Sequence, residues 1–366
     1  MQRTKTDIEA SEWAVNDAVV RLRIWGTTRS FLLLPDAIIG SSSECAIQLH
    51  DPTEHISRKH AVIVQEGDTY VLRDLDSKNG IYVDGARREL TTLTPGLEVR
   101  IGGVTVIVES KRLIALRSFL ARLLGWHRDR CEAVDLALRA VRIAATRHAP
   151  LIVSGEEDLI PIAYGIHQRA LGPRKPFVVC DPRRRRYAAT ARSPMNVEIG
   201  MEALQAAEGG SLCVRSRRLP RDFGEVMEAL RDPGRRVQLI VCTVDGTESH
   251  RLVATMAATV NIPRLSSRPT EIDHVINEYG ADAVAALDAQ LSFTRLDRDW
   301  VRSRAVGTGD EIERATYIEI EKATLRRVAL RMRGNIAQAA EILEMSHVAL
   351  GEWVRRRRPQ ERDDDD

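Results

Sequence analysis

The sequence predicts a multidomain chain: a small antiparallel β-sandwich, an α/β domain on a parallel sheet with a helical lid, and a C-terminal all-α helix-turn-helix. Three observations predict it. Apolar alternation broken by Asn79-Gly80 and Asp84-Gly85 marks short strands joined by turns in which glycine supplies a positive φ. Buried-type runs at Leu151–Val153, Phe177–Cys180, Leu212–Val214 and Val237–Thr243 alternate with helical stretches, the pattern of a parallel sheet. Near the end, Ile336–Leu343 and His347–Arg358 carry helical periods around a turn, with Ala339-Ala340 small enough for a close crossing. At 366 residues the chain has room for two or three such domains.

The boundaries follow from composition and period. A polar tail covers 1–17, the sandwich 18–109 and a helical linker 110–129. The α/β domain covers 130–265, the lid and connector 266–309, the helix-turn-helix 310–358 and an acidic tail 359–366. In the linker, Leu113, Leu116, Leu120, Leu123 and Leu124 form a helical stripe expected to pack on a neighbouring domain. In the long helix from Glu311 to Arg333, the residues Ile312, Ala315, Ile318, Ile320, Leu325, Val328 and Ala329 are expected on the buried side. Val348, Leu350 and Val354 are expected inward on the last helix.

Composition excludes several classes. Apolar content of 43% and charge of 29% are those of a globular protein, and no apolar run reaches membrane-span length. Net charge is only +2, so the chain is not a basic nucleic-acid coat, although Arg183–Arg186 and Arg355–Arg358 are local basic runs. Cys45, Cys131, Cys180, Cys213 and Cys242 stand apart with no C-x-x-C pair, which argues against a zinc site or a disulfide scaffold. Cytoplasm is the expected location, with no membrane partner.

The stretch from Ser57 to Gly85 carries the first recognisable chemistry. Ser57-Arg58-Lys59-His60 and Ser77-Lys78-Asn79-Gly80 fall at strand ends, where they offer hydroxyl, guanidinium, ammonium and amide donors to an anion. With Gly40, Asp74-Leu75 and Val83-Asp84-Gly85, these motifs resemble a forkhead-associated (FHA) domain, a β-sandwich that binds phosphothreonine peptides. The resemblance implies a phosphopeptide site at Ser41, Ser57, Arg58, Lys78 and Asn79. Ser41 stands where the family carries a phosphate-contacting Arg. A sandwich kept only for protein docking is the alternative.

The middle of the chain resembles the AAA+ domain of sigma-54-dependent activators, from Gly155-Glu156 to Gly165-Ile166-His167 and again at Gly209-Gly210-Ser211-Leu212. The phosphate-loop glycines and Lys are replaced by Glu157 and Asp158, and the carboxylates of the second ATPase motif by Arg215 and Ser216. A phosphate loop works by backbone N–H groups and a Lys, and carboxylates there would repel a triphosphate. Gly155, Glu156, Glu157, Asp158, Arg215 and Ser216 therefore read as a degenerate nucleotide site in a non-enzyme, and no cofactor is expected. The sigma-contacting loop is also missing.

The C-terminal segment resembles the Fis-type DNA-binding domain through Arg333-Gly334-Asn335, Ala339-Ala340, Leu343 and Ser346-x-x-x-Leu350. By that match Ser346 caps the recognition helix, His347, Val348, Ala349 and Glu352 face bases, and Arg355, Arg356, Arg357 and Arg358, with Arg331 and Arg333, meet phosphates. Glu344 stands where the family usually has Gly. The combined resemblance implies a transcriptional regulator that couples phosphothreonine-protein recognition to DNA, with a homo-oligomer left open. A signalling adaptor with no DNA role, and an ATP-dependent activator acting through sigma-54, are the alternatives.

Overall fold

The computed structural model describes residues 17–156, 158–184, 194–244, 258–287, 293–305 and 307–357, apart from the side chains of residues 310, 356 and 357. The chain divides into two compact units, Met1–Ile262 and Pro263–Asp366.

The first unit begins with eleven strands in two sheets. They are β1 (Val19–Ile24), β2 (Ser30–Leu32), β3 (Ile38–Gly40), β4 (Ile47–Gln48), β5 (Ala61–Glu66), β6 (Thr69–Asp74), β7 (Ile81–Val83), β8 (Ala86–Arg88), β9 (Leu90–Thr92), β10 (Glu98–Ile101) and β11 (Val104–Ser110). One sheet runs β2-β1-β11-β10-β7-β8 and the other β4-β3-β5-β6-β9. Ala61 and Ile63 of β5 point inward while Val62 and Val64 are only half-buried, which is the two-residue period of a one-sided sheet. Leu22, Ile39, Ile63, Leu72, Ile81 and Ile101 fill the space between the sheets. Asp84 and Gly85 both take positive φ, 50° and 78°, as the tight β7–β8 hairpin requires.

β11 runs directly into α1 (Lys111–Leu124), whose first turn is capped by the Ser110 hydroxyl. α1 is no free-standing linker. Leu113, Leu116 and Leu120 are fully buried in one core with α2 (Cys131–Arg147), β12 (Leu151–Ser154) and α3 (Leu159–Ala170). The remaining strands are β13 (Phe177–Cys180), β14 (Met195–Val197), β15 (Ser211–Arg215), β16 (Gln238–Thr243) and β17 (Ala258–Asn261). They build a sheet in the order β14-β13-β15-β16-β12-β17, with every neighbouring pair parallel. α4 (Gly200–Ala206) and α5 (Phe223–Ala229) pack on the opposite face from α1–α3, around a second core. The sequence pattern finds the four buried strands and misses the two at the edges, which are short and carry Asn196 and Thr259 within them.

A buried charge network holds sandwich and α/β layers together. The Arg23 guanidinium, 1% exposed, donates from both terminal nitrogens to the Asp135 carboxylate on α2 at 2.8 and 2.7 Å. Its Nε donates to Glu109 of β11 at 2.7 Å. Arg21 takes the other Glu109 oxygen at 2.7 Å, and Arg117 of α1 reaches Asp135 at 2.9 Å. The Gly26 N–H also donates to Asp135, at 2.8 Å. Nearby, Arg139 of α2 pairs with Glu98 of β10 and lies over the Trp25 ring at 4.2 Å.

His167 ties α3 to the sheet. Its Nδ1 lies 2.8 Å from the Ser211 hydroxyl and its Nε2 3.0 Å from the Lys175 carbonyl, so the neutral ring donates from Nε2 and accepts at Nδ1. Burial pushes its pKa down to about 4.

The second unit is helical: α6 (Ile272–Ala286), α7 (Arg295–Arg304), α8 (Gly309–Arg333), α9 (Ile336–Ile342) and α10 (His347–Arg357). Caps set these bounds. Thr294 and Asp297 form a reciprocal capping box at α7, Gly334 ends α8 at φ 62°, Asn335 caps α9 and Ser346 caps α10. Ala329, Ala339, Ala340 and Leu350 form the small core of the last three helices. One expectation is corrected here. Ile318, Leu325 and Val328 are 38%, 56% and 48% exposed, and Val348 is 62% exposed. α8 has two apolar rows, and its neighbours cover only the row with Ile312, Thr316, Ile320 and Ala323. Val348 lies beside the N-cap, on the side of α10 away from Leu350.

Two outcomes test these contacts. Asp135→Ala leaves the Arg117 guanidinium without its carboxylate and Arg23 with Glu109 alone, and should cost about 3–5 kcal/mol in denaturant unfolding. For His167, the folded pKa lies below the unfolded value of 6.5, so the unfolded chain binds more protons between about pH 4 and 6.5. Its contribution should be complete above that window and fall as pH drops through it, at up to about 1.4 kcal/mol per pH unit. His167→Phe should flatten that part of the stability–pH curve.

Candidate functional site

The rim of the sandwich is built by three loops that share hydrogen bonds. The Ser41 N–H donates to the Ser57 carbonyl at 3.1 Å, and the Ser42 N–H to the Arg58 carbonyl at 3.2 Å. The Lys78 N–H donates to the Ser57 hydroxyl at 3.2 Å. The Asn79 amide donates to the His55 carbonyl at 2.8 Å. All five residues of the expected phosphopeptide site therefore meet at one rim. Ser41, Arg58 and Lys78 are exposed, while Ser57 and Asn79 are half-buried.

What positions these loops is a buried trio that sequence reasoning left out of the site. His60 is fully buried; its Nδ1 accepts from the Ser57 N–H at 3.1 Å. Nε2 therefore carries the proton and faces the Gly80 carbonyl at 3.1 Å and the Ser77 hydroxyl at 3.0 Å. Ser77 in turn donates to Asp74 at 2.6 Å and accepts from the Gly80 N–H at 2.9 Å. Gly40 is required by a close approach, since a Cβ there would lie 2.1 Å from the Arg58 carbonyl oxygen. Gly80, at φ 74°, leaves the space that the Arg87 side chain occupies. The signal for His60 and Ser77 was their place at the ends of alternating strands, which is also where a buried polar pair can bridge two loops.

The described residues expected to form a degenerate nucleotide site lie together at the carboxyl edge of the parallel sheet. Gly155 follows β12, and Asp158 caps α3 by accepting from the Ile160 N–H. Arg215, at the end of β15, donates to the Asp158 carboxylate at 2.7 Å. Ser216 is buried and its hydroxyl donates to Thr243 at 3.3 Å. Glu156 is exposed, and Glu157 lies outside the described residues. Asp181, buried at the end of β13, is the member that sequence reasoning missed. Arg218 reaches it at 3.2 Å, with Arg184 at 3.8 Å and Arg215 at 3.9 Å. A carboxylate thus occupies the α3 N-terminus, where a phosphate would gain from the helix dipole, and a guanidinium covers it. The thiols nearby are inert: burial pushes Cys180 up to about 12 and Cys213 well above its ordinary value.

On α10, Ser346 caps the helix by accepting from the Val348 N–H at 3.2 Å. His347, Val348, Ala349, Glu352 and Arg355 are exposed. Arg356 and Arg357 lie within α10, and Arg358 lies outside the described residues. Glu344 takes a positive φ of 49°, a conformation that glycine adopts at least cost. Among the described residues no cluster of His, Cys, Asp and Glu could hold a metal ion, and no helix is long and apolar enough to cross a membrane.

Gly40→Ala tests the rim geometry. The added methyl must displace the Ser57–Arg58 loop, and the expected loss is about 1–3 kcal/mol in denaturant unfolding, with NMR shifts at Ser57 and Lys78.

Comparison with known proteins identifies the sandwich. The FHA domain family matches residues 37–102. The chain is 43% identical over 60 residues to the transcriptional regulatory protein EmbR of Mycobacterium bovis and of Mycobacterium tuberculosis, a match covering 15% of this chain and 16% of that protein. Among solved structures, M. tuberculosis EmbR in complex with a low-affinity phosphopeptide is similar at 34% identity, over 25% of this chain and 24% of that one, with a TM-score of 0.24. An FHA domain studied for phosphothreonine-dependent interactions is similar at 31% identity, over 25% of this chain and 95% of that one, with a TM-score of 0.23. The likeness to the regulator is confined to the sandwich. Residues 37–102 form an FHA domain.

Proposed function

We propose that the chain is a DNA-binding transcriptional regulator that couples recognition of a phosphothreonine protein to promoter binding, without ATPase activity. The observation that carries it is α10: a Ser-capped helix that exposes His347, Val348 and Ala349 in its first turn and Arg355 near its end. An exposed valine in a helix start next to a histidine suits a thymine methyl and a base edge, while the later arginines suit phosphates. The EmbR name, borne by a protein that shares the FHA segment, supports the regulatory role.

The FHA rim is the signal-receiving end. Ser57, Lys78 and Asn79 keep the donors that suit a phosphate and the backbone beside it. Ser41 replaces a guanidinium with a hydroxyl, so affinity for phosphopeptide should be modest. Ser41→Arg should raise it about tenfold or more, as one charge-assisted hydrogen bond implies. Titration calorimetry with phosphothreonine and threonine peptides reads this directly. Equal binding of both peptides by both proteins would favour the docking-module reading.

Asp158 and Arg215 supply the ground for a non-enzyme. The triphosphate would meet a carboxylate at α3, and no carboxylate holds Mg²⁺ at Arg215 or Ser216. Purified protein should show no ATP turnover above background.

DNA binding is tested by anisotropy on operator and scrambled duplexes across a salt series. Arg355→Ala should weaken both and lower the log–log salt slope by about 0.9. His347→Ala should cost about 1–3 kcal/mol on the operator alone and leave the slope near wild type. Wild-type behaviour by both variants would give the adaptor reading the lead.

A further inference from the structure

We propose that the carboxyl edge of the parallel sheet in the first unit is a second nucleic-acid surface, binding the phosphate backbone of duplex DNA. β13 and β15 are hydrogen-bonded neighbours, with Cys180 opposite Val214, so the loops that follow them emerge side by side. These two loops and the end of β15 carry Arg183, Arg184, Arg215, Arg217, Arg218 and Arg221 against only Asp181 and Asp222.

The two acids are already in use. Asp222 accepts from the Gly200 and Met201 N–H groups at 3.0 and 2.8 Å. Asp181 is 1% exposed and lies within 4 Å of three guanidiniums, so it fixes Arg184, Arg215 and Arg218 in place instead of neutralising the edge. The buried Nε of Arg215 has no hydrogen-bond partner. Arg183, Arg217 and Arg221 are exposed and their side chains have no partner among the described residues. On the β14 side the next loop begins with Glu198, while Glu156 follows β12, two strands beyond β15.

The form of this surplus selects the ligand. A small phosphate compound would need the crevice at the start of α3, which the Asp158–Arg215 pair fills. Guanidiniums spread over two loops on an outer edge suit an extended polyanion, whose phosphates they meet one at a time, with release of counterions. Among the described residues no base-reading element accompanies them, so the proposed interaction is with the backbone and indifferent to sequence.

The test uses the full chain and a scrambled duplex, with anisotropy over a salt series. Compared are wild type, the triple variant Arg183→Ala, Arg217→Ala, Arg221→Ala, and Arg355→Ala. The triple variant removes exposed side chains with no partner among the described residues, so its melting temperature should match wild type. Its log–log salt slope should fall by about 0.9 for each phosphate that is no longer neutralised. A slope reduced in the triple variant and in Arg355→Ala supports both surfaces. A slope reduced in the triple variant alone supports this surface and counts against α10 as a DNA element. A slope reduced in Arg355→Ala alone overturns this surface and leaves α10 standing, and no reduction in either overturns both. Competition of the duplex by free ATP, or an ATP-induced rise in melting temperature, would mark the edge as a nucleotide site and also overturn the proposal.

Discussion

The arrangement of the first unit depends on one buried guanidinium. Arg23 bridges a carboxylate of the sandwich, Glu109, and a carboxylate of the helical layer, Asp135, with almost no access to water. Burying such a group is costly unless every donor is matched, and here bidentate geometry and backbone groups match them. The pairing is also specific in a way that apolar packing is not. A slip of β1 by one residue would turn Arg21 and Arg23 to the other face of the sheet, stripping Glu109 of both arginines and leaving Asp135 to Arg117. The network therefore fixes register and orientation together, and the rim loops and the carboxyl edge of the parallel sheet belong to one body.

The sandwich was legible because its signals are local. Turn glycines, alternation and the Ser57–His60 and Ser77–Gly80 motifs each act within a few residues, and the five rim residues do converge. The trio of Asp74, His60 and Ser77 was not legible as a unit, because its bonds join residues of two different loops. The same holds for Asp181, whose meaning arises only when Arg184, Arg215 and Arg218 close around it. The expected row of α8 failed for a related reason: helical periodicity names the faces of a helix but not the neighbours that cover them. Ile318 and Leu325 satisfy the period as well as Ile312 and Ile320 do. Edge strands β14 and β17 were invisible because Asn196 interrupts a three-residue strand in one and partial burial removes the apolar run in the other.

The pair Asp158–Arg215 fills a helix N-terminus at the sheet edge with the chain's own charges. The helix dipole of α3 still receives a negative charge, and that charge still receives a positive partner, but both come from the chain. At the other end of α3, burial holds His167 neutral while its ring bonds Ser211 and the Lys175 carbonyl, so its contribution is structural.

The direct passage of β11 into α1 has a further consequence. Glu109 and Ser110 end the last strand of the sandwich, and both are fully buried. Glu109 is covered on the strand side by Arg21 and Arg23, and Ser110 spends its hydroxyl capping the helix that follows. Cut at that junction, the sandwich would be without the helix that its final residue caps and the carboxylate that completes the coordination of Arg23. This FHA domain is therefore not a portable module: its closing strand is finished by the domain behind it.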